Sequence, residues 1–196
     1  MDLARQIWHV WLSGGWVMAP LFGLAVLLYA QAFQLVLHLR RTELDAAQQM
    51  QWWDWVRAPE KAEGRVSEII RYTQADVRSA RQIRRRFDEV RLALVALIER
   101  RARFLTMLVA VAPLMGLLGT VLGMLKTFLG ISTSAGAETA EVIAAGISEA
   151  LITTQTGLMI ALPGLFLVML IQRKRHALEA QLARLESLTL THLKFE

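Results

Sequence analysis

APLMGLLGTVLGMLKTF, residues Ala112 to Phe128, decides how this chain folds. The stretch is apolar enough to cross a membrane, yet Gly116, Gly119, Thr120 and Gly123 recur at steps that place them on one helical face. A lipid-facing surface has no use for a smooth, slightly polar stripe; a surface that meets protein or lines a pore does. A second small-residue stripe, Ala150, Thr154, Gly157, Ala161 and Gly164, lies in the next apolar segment.

Outward from these stripes, the 196 residues divide into three long apolar segments and the charge-rich stretches between them. That segregation marks a multi-pass, all-α membrane protein rather than a soluble globule. The chain has no cysteine, which excludes a disulfide framework and a thiolate metal site. His9, His38, His176 and His192 are scattered, and none has metal-ligand spacing. No G-x-S-x-G, Walker A or dinucleotide fingerprint stands in its proper context, so no catalytic residue, cofactor or metal is expected. The basic pI is read as topology and contact with anionic phospholipid, not as nucleic-acid binding.

The expected organisation is an outer-surface amphipathic helix (1–15) and a first transmembrane helix (16–38). A cytoplasmic helical segment (39–103) and a second span (104–128) follow. An outer turn with the start of helix 3 (129–151), a third span (152–171) and a cytoplasmic helical tail (172–196) complete it. A cleavable signal peptide fits poorly, because the first apolar run is long and no small-residue cleavage site follows. Residues 3–12 read as a short amphipathic helix on the outer surface, with Trp8, Trp11 and Trp16 at the headgroup level, and Gly14-Gly15 turns the chain into the span. Fifteen Lys/Arg lie between His38 and Arg103 and five after Ile171, whereas residues 129–152 hold none and the first fifteen residues hold only Arg5. The positive-inside rule then places the amino terminus and the turn near Ile131 to Ala137 outside, and the middle segment and carboxyl terminus inside.

The middle segment is not a disordered loop. Val66, Ile69, Ile70, Thr73, Val77, Ala80, Ile83, Phe87, Val90, Leu94, Leu97 and Ile98 recur at steps of three and four, which predicts one continuous helix with a single apolar stripe running on into the second span. Ile171, Leu178, Leu182, Leu185 and Leu188 extend the third span likewise. A short outer turn makes the two extensions antiparallel neighbours, packed stripe to stripe. Pro59 predicts a break near Arg57 to Glu60. Arg84-Arg85-Arg86 reads as a solvated or headgroup-facing run. For Trp52, Trp53 and Trp55 two placements stay open, against the bundle or in the inner leaflet.

Polar groups within the spans are the informative ones, because hydrocarbon makes them costly. Thr120 has a bland role available, back-bonding its own helix. Thr153, Thr154, Gln155 and Thr156 wrap all round a helix and cannot all face lipid. Thr120 lies sixteen residues into the second span, about 24 Å at 1.5 Å per residue. That depth is in the outer third, where Thr154 also falls, so the two hydroxyls are expected to share a level. Glu149 either pairs with Lys126 or faces the pore entrance. Neither span holds an Asp, Glu or His at its middle, so a proton path would need a carboxylate from another chain.

Two blocks carry a family resemblance: Ala112-Pro113-Leu114-Met115-Gly116-Leu117-Leu118-Gly119-Thr120-Val121-Leu122-Gly123-Met124, and Gly146-Ile147-Ser148-Glu149-Ala150-Leu151-Ile152-Thr153-Thr154, continuing through Gly157-Leu158 to Ala161-Leu162-Pro163. At this spacing, over roughly residues 100–172, the chain resembles the ExbB/TolQ branch of the MotA/TolQ/ExbB proton channel family. Three spans with an outer amino terminus match that branch better than the four-span flagellar stators. The resemblance implies a homo-oligomer, a pentamer, around a dimer of an ExbD/TolR-like single-span partner whose transmembrane Asp carries the proton. It further implies coupling of the proton motive force to a TonB- or TolA-like protein across the periplasm. By motif position, Thr120 and Thr154 match the family's pore threonines and Glu149 its glutamate. Gly116, Gly119, Gly123, Thr153, Gly157 and Ala161 fall among pore-lining or partner-packing positions. Gln155, Thr156 and Lys126 depart from the common pattern. A non-conducting oligomeric scaffold that anchors a partner is the alternative function.

Overall fold

The computed structural model describes residues 13–42, 51–62, 64–77, 79–133 and 138–192. The amphipathic helix expected over 1–15 thus lies outside the described residues, save for its last three. The described chain is helical: α1 (Met18–Thr42), α2 (Trp52–Arg57), a 3-10 turn (Pro59–Lys61), α3 (Gly64–Gln74), α4 (Ala80–Thr133) and α5 (Glu138–His192). Three of these, α1, α4 and α5, are long and apolar enough to cross a membrane. The chain forms two compact units. One joins residues up to Phe33 with Arg103–Met169, and the other joins Gln34–Ala102 with the residues from Leu170 onward.

In the first unit, Gly15 starts the fold. Its φ of +67° is a conformation that favours glycine, and it turns the chain into α1. α1 runs parallel to α5: Gly14 approaches Ile152, Leu28 approaches Gly164, and Tyr29 Oη donates to the Ile160 carbonyl at 3.0 Å. α4 and α5 run antiparallel, with Gly130 against Val142, Gly123 against Gly146, Gly116 against Thr154, and Val109 against Gly164. The outer faces carry Leu114, Leu117, Val121, Leu125, Phe166 and Met169, all exposed. Such continuous apolar cover suits a hydrocarbon or protein environment, not water.

The second unit is built by ordinary hydrophobic burial. Ile83, Phe87 and Ile98 of α4 and Leu178, Leu182 and Leu185 of α5, members of the two apolar stripes, are all buried. Ion pairs across the pair, Arg91 with Glu186 at 3.3 Å and Arg175 with Glu99 at 3.8 Å, set the antiparallel register. Trp52, Trp55 and Val56 of α2 are buried, the Trp53 ring lies under the Arg57 guanidinium, and Gln74 of α3 donates to the Val56 carbonyl at 3.0 Å. The tryptophans are therefore placed against their own unit. Pro59 opens the 3-10 turn after α2 ends, where its missing N–H is no loss.

The expected continuous helix from Val66 is broken. α3 stops at Gln74 and α4 begins at Ala80, with Asp76 between them at φ +48°. Aspartate tolerates this left-handed conformation better than most side chains. Arg86 closes the turn, donating to the Tyr72 carbonyl at 2.7 Å and to the Ala75 carbonyl, while its guanidinium lies over the Tyr72 ring. These are carbonyls that a helix end leaves without partners. Arg86 thus belongs to a structural turn, not to a freely solvated run. At the other end, α4 continues through Ile131 to Thr133, where a turn was expected.

Candidate functional site: the α4–α5 seam

The seam is set by what is missing from its side chains. A Cβ at Gly157 would stand 2.7 Å from the Ala112 carbonyl oxygen and 3.2 Å from Gly116 Cα. One at Gly116 would stand 3.0 Å from the Thr153 carbonyl oxygen, and one at Gly123 2.6 Å from that of Gly146. A Cβ at Gly119 would strike the Thr153 side chain, and one at Gly146 the Thr127 hydroxyl. Backbone therefore meets backbone over several turns, as small residues permit between helices in lipid. The stripe of Gly116, Gly119 and Gly123 is buried within the chain against α5, together with Thr153, Gly157 and Ala161. These residues pack against one another inside the chain.

The threonines divide by what their hydroxyls do. Thr153 is fully buried and donates to the Glu149 and Ala150 carbonyls at 3.1 and 3.0 Å. Thr127, also buried, donates to the Gly123 carbonyl at 3.1 Å. Thr156 donates to the Ile152 carbonyl at 2.8 Å, and Gln155 is exposed. Thr154 crosses the seam, donating to the Gly116 carbonyl at 3.2 Å and to its own helix at Ala150, 3.3 Å. Thr120 donates to the Leu117 carbonyl at 2.7 Å. Both Thr120 and Thr154 are half-buried at the seam's edge. Since Thr154 faces Gly116 and Gly119 faces Thr153, Thr120 and Thr154 are offset along the pair by about 5 Å.

Glu149 pairs with Lys126. The ammonium and carboxylate are 2.6 Å apart, and the Glu149 side chain is only 10% exposed against 53% for Lys126. Glu149 also fills the space that a Cβ at Gly15 would need, so it joins α4, α5 and the turn before α1. Of the two placements open from sequence, this is the paired one. Thr120 lies six residues before Lys126, about 120° around α4, and Thr154 five residues after Glu149, about 140° around α5. The two hydroxyls therefore flank the seam on the side away from the ion pair.

Three contacts were not foreseen: Tyr29 on Ile160, Gly15 against Glu149, and Thr127 against Gly146. Only Thr127 carried a signal, as a hydroxyl four residues after Gly123 in an apolar run.

The fold and this seam define a class: a helical protein with three helices long and apolar enough to cross a membrane, the last two joined backbone to backbone, with two hydroxyls along one edge. Residues 61–184 match the MotA/TolQ/ExbB proton channel family, and the chain belongs to that family. It is similar to the biopolymer transport protein ExbB-like 1 of Synechocystis sp., 36% identical over 168 residues, which cover 77% of this chain and 65% of that protein. Shorter stretches match the biopolymer transport protein exbB1 of Vibrio cholerae (46% over 61 residues, 31% of this chain and 27% of that one). The Tol-Pal system protein TolQ of Haemophilus influenzae matches at 42% over 66 residues, 34% and 28% of the two chains. The matches span less than two thirds of the length of these curated relatives.

Proposed function

We propose that this chain is a multi-pass inner-membrane subunit of a proton-driven motor. In this reading it assembles as a homo-oligomer, a pentamer, around an ExbD/TolR-like single-span protein, and the complex energises a TonB- or TolA-like protein. The amino terminus is periplasmic and the carboxyl terminus cytoplasmic. The spans are 16–38, 104–128 and 152–171, and Arg100, Arg101 and Arg173 meet anionic phospholipid.

The observation that carries the reading is the state of the two hydroxyls. Thr120 and Thr154 each spend their one O–H on a backbone carbonyl. What remains on each oxygen is acceptor capacity. An acceptor receives a hydrogen bond from a protonated carboxyl group and gives nothing to an ionised one. The edge of the seam is thus fitted to a neutral, proton-carrying carboxylic acid at a depth where this chain's spans have no acid of their own. The partner's Asp would pick up its proton, rest against these oxygens, and release it beyond them. Glu149, paired with Lys126 on the other side of the seam, stands outside this path and holds the outer ends of the helices together.

The test is Thr154→Val, which keeps the shape and removes the oxygen. Proton flux and energised transport by the complex with its partner should fall at least tenfold, with assembly unchanged on native gels. Unchanged transport would favour the non-conducting scaffold, in which the threonines serve packing alone. Proton flux through liposomes holding this chain without its partner would overturn the shared-site reading.

A further inference from the structure

Gln155 is the polar side chain of the third span that the seam leaves unused. It is exposed, and no group among the described residues bonds its amide. It lies six residues inward from Glu149, about 9 Å along α5. Leu151, Leu158, Met159 and Leu162 surround it, all exposed. An unpaired amide on such a face is costly in hydrocarbon and is satisfied there by a group on another helix.

The residue before it narrows what that group is. Thr154 and Gln155 stand about 100° apart around α5, and Leu151 and Leu158, one turn before and one turn after, lie between them. A helix that rests on the free side of Thr154 therefore beds on Leu151 and Leu158 and meets both polar groups. Thr154 has spent its proton on the Gly116 carbonyl and can only accept. The Gln155 amide brings two N–H donors and an acceptor oxygen. Together they suit a carboxyl group in both of its states. Protonated, it donates to an oxygen and accepts from an N–H; ionised, it accepts from the amide and gains nothing from Thr154.

A second copy brings no carboxyl group to this level. Glu149 is paired with Lys126, the next acids inward are Glu179 on α5 and Glu99 on α4, and α1 has none. The Thr120 oxygen and the Trp16 indole N–H, which a copy could bring, each satisfy one side of the amide only. Nor does a titratable side chain of the spans compete for the amide. α4 has none between Arg103 and Lys126, α5 none between Glu149 and Arg173, and α1 only Tyr29 before His38, which bonds the Ile160 carbonyl.

We infer that Gln155 keeps hold of the partner helix's carboxyl group after its proton has left. The acid gives its proton to water, the carboxylate accepts from the Gln155 N–H groups, and reprotonation returns its O–H to the threonine oxygens. The inference rests on the shared-site reading above and adds the donor that Thr120 and Thr154 lack.

The probe is a synthetic membrane-spanning poly-leucine helix with one Asp at the depth of Gln155, compared with its all-leucine counterpart. Both are bound to the full chain in lipid vesicles, at about pH 9 and about pH 5, and read by energy transfer. The unmodified chain should prefer the Asp helix at both pH values. Gln155→Met should cut that preference about threefold to tenfold at the higher pH and less at the lower, because the protonated acid can still donate to Thr154. Unchanged binding of the all-leucine helix would report an intact surface. Equal preference in Gln155→Met and the unmodified chain at the higher pH would overturn the inference. So would a Gln155→Met variant that loses oligomer mass and keeps its preference, because the amide would then lie between copies. If Thr154→Val alone lowers the preference, the shared-site reading stands and this one falls. An unmodified chain that does not distinguish the two helices would refute both.

Discussion

Gly157→Ala measures the seam. The added methyl would lie 2.7 Å from the Ala112 carbonyl oxygen, and neither that oxygen nor Gly116 Cα at 3.2 Å can swing aside, because both are backbone. Carbon–oxygen contacts relax at about 3.3 Å, so the helices must part by about 0.6 Å here. Overfilling a close contact costs about 1–3 kcal/mol. Alanine's better helix propensity returns up to about 1 kcal/mol, so a single measurement would blur the two effects. Gly23→Ala separates them: a Cβ there meets nothing within 4 Å, so only the propensity gain remains. The difference between the variants, about 1–3 kcal/mol, belongs to the seam. Thermal or SDS-driven unfolding of the full chain in micelles reads it. Gly157→Ala as stable as Gly23→Ala would refute the backbone-contact account. Loss of ring assembly with no loss of monomer stability would refute it too, because it would place Gly157 between copies.

Three further outcomes are expected. Lys126→Met and Glu149→Gln, combined as a double-mutant cycle, should show coupling of about 1 kcal/mol, held down by the exposure of Lys126; no coupling would mean the pair is absent in the membrane. Arg86→Gln should expose residues 75–79 to proteolysis, at a cost of about 1–2 kcal/mol from two abandoned carbonyls, while residues on α5 stay protected. Tyr72 donates to Glu89 at 2.6 Å, and that hydrogen bond, followed by partial burial and the negative charge of Glu89, raises its pKa above the usual 10. The contact therefore stabilises fully below pH 10 and is lost as pH rises through the raised value. Ultraviolet titration should show Glu89→Gln moving the ionisation of Tyr72 to lower pH, with Tyr72→Phe assigning the step.

The spans and the antiparallel pairing were legible because hydropathy and glycine spacing are local signals. Gly116, Gly119 and Gly123 announced a close contact, but a stripe does not say which helix it touches, and α5 of the same chain proved sufficient. The break at Asp76 was hidden for a definite reason. Thr73, Val77, Ala80 and Ile83 keep helical steps across it, so the turn returns the stripe to phase and periodicity passes straight through. The marks it left were an aspartate and the Ser79-x-x-Gln82 start of α4, where the Ser79 hydroxyl accepts from the Gln82 N–H at 3.4 Å. The pairing of Glu149 with Lys126 needed the register of α4 against α5, which depends on contacts far apart in sequence. The same register decides that Thr120 and Thr154 share an edge but stand about 5 Å apart in height.

A joint made of backbone has mechanical consequences. Side-chain interfaces can loosen by changing rotamers one at a time, but Gly116, Gly157 and their carbonyl neighbours have no rotamers to change. The joint opens over several turns together or not at all. Within the first unit, the stretches of α4 and α5 that carry the seam then behave as one stiff piece, which tilts or turns as a whole and does not part along the seam.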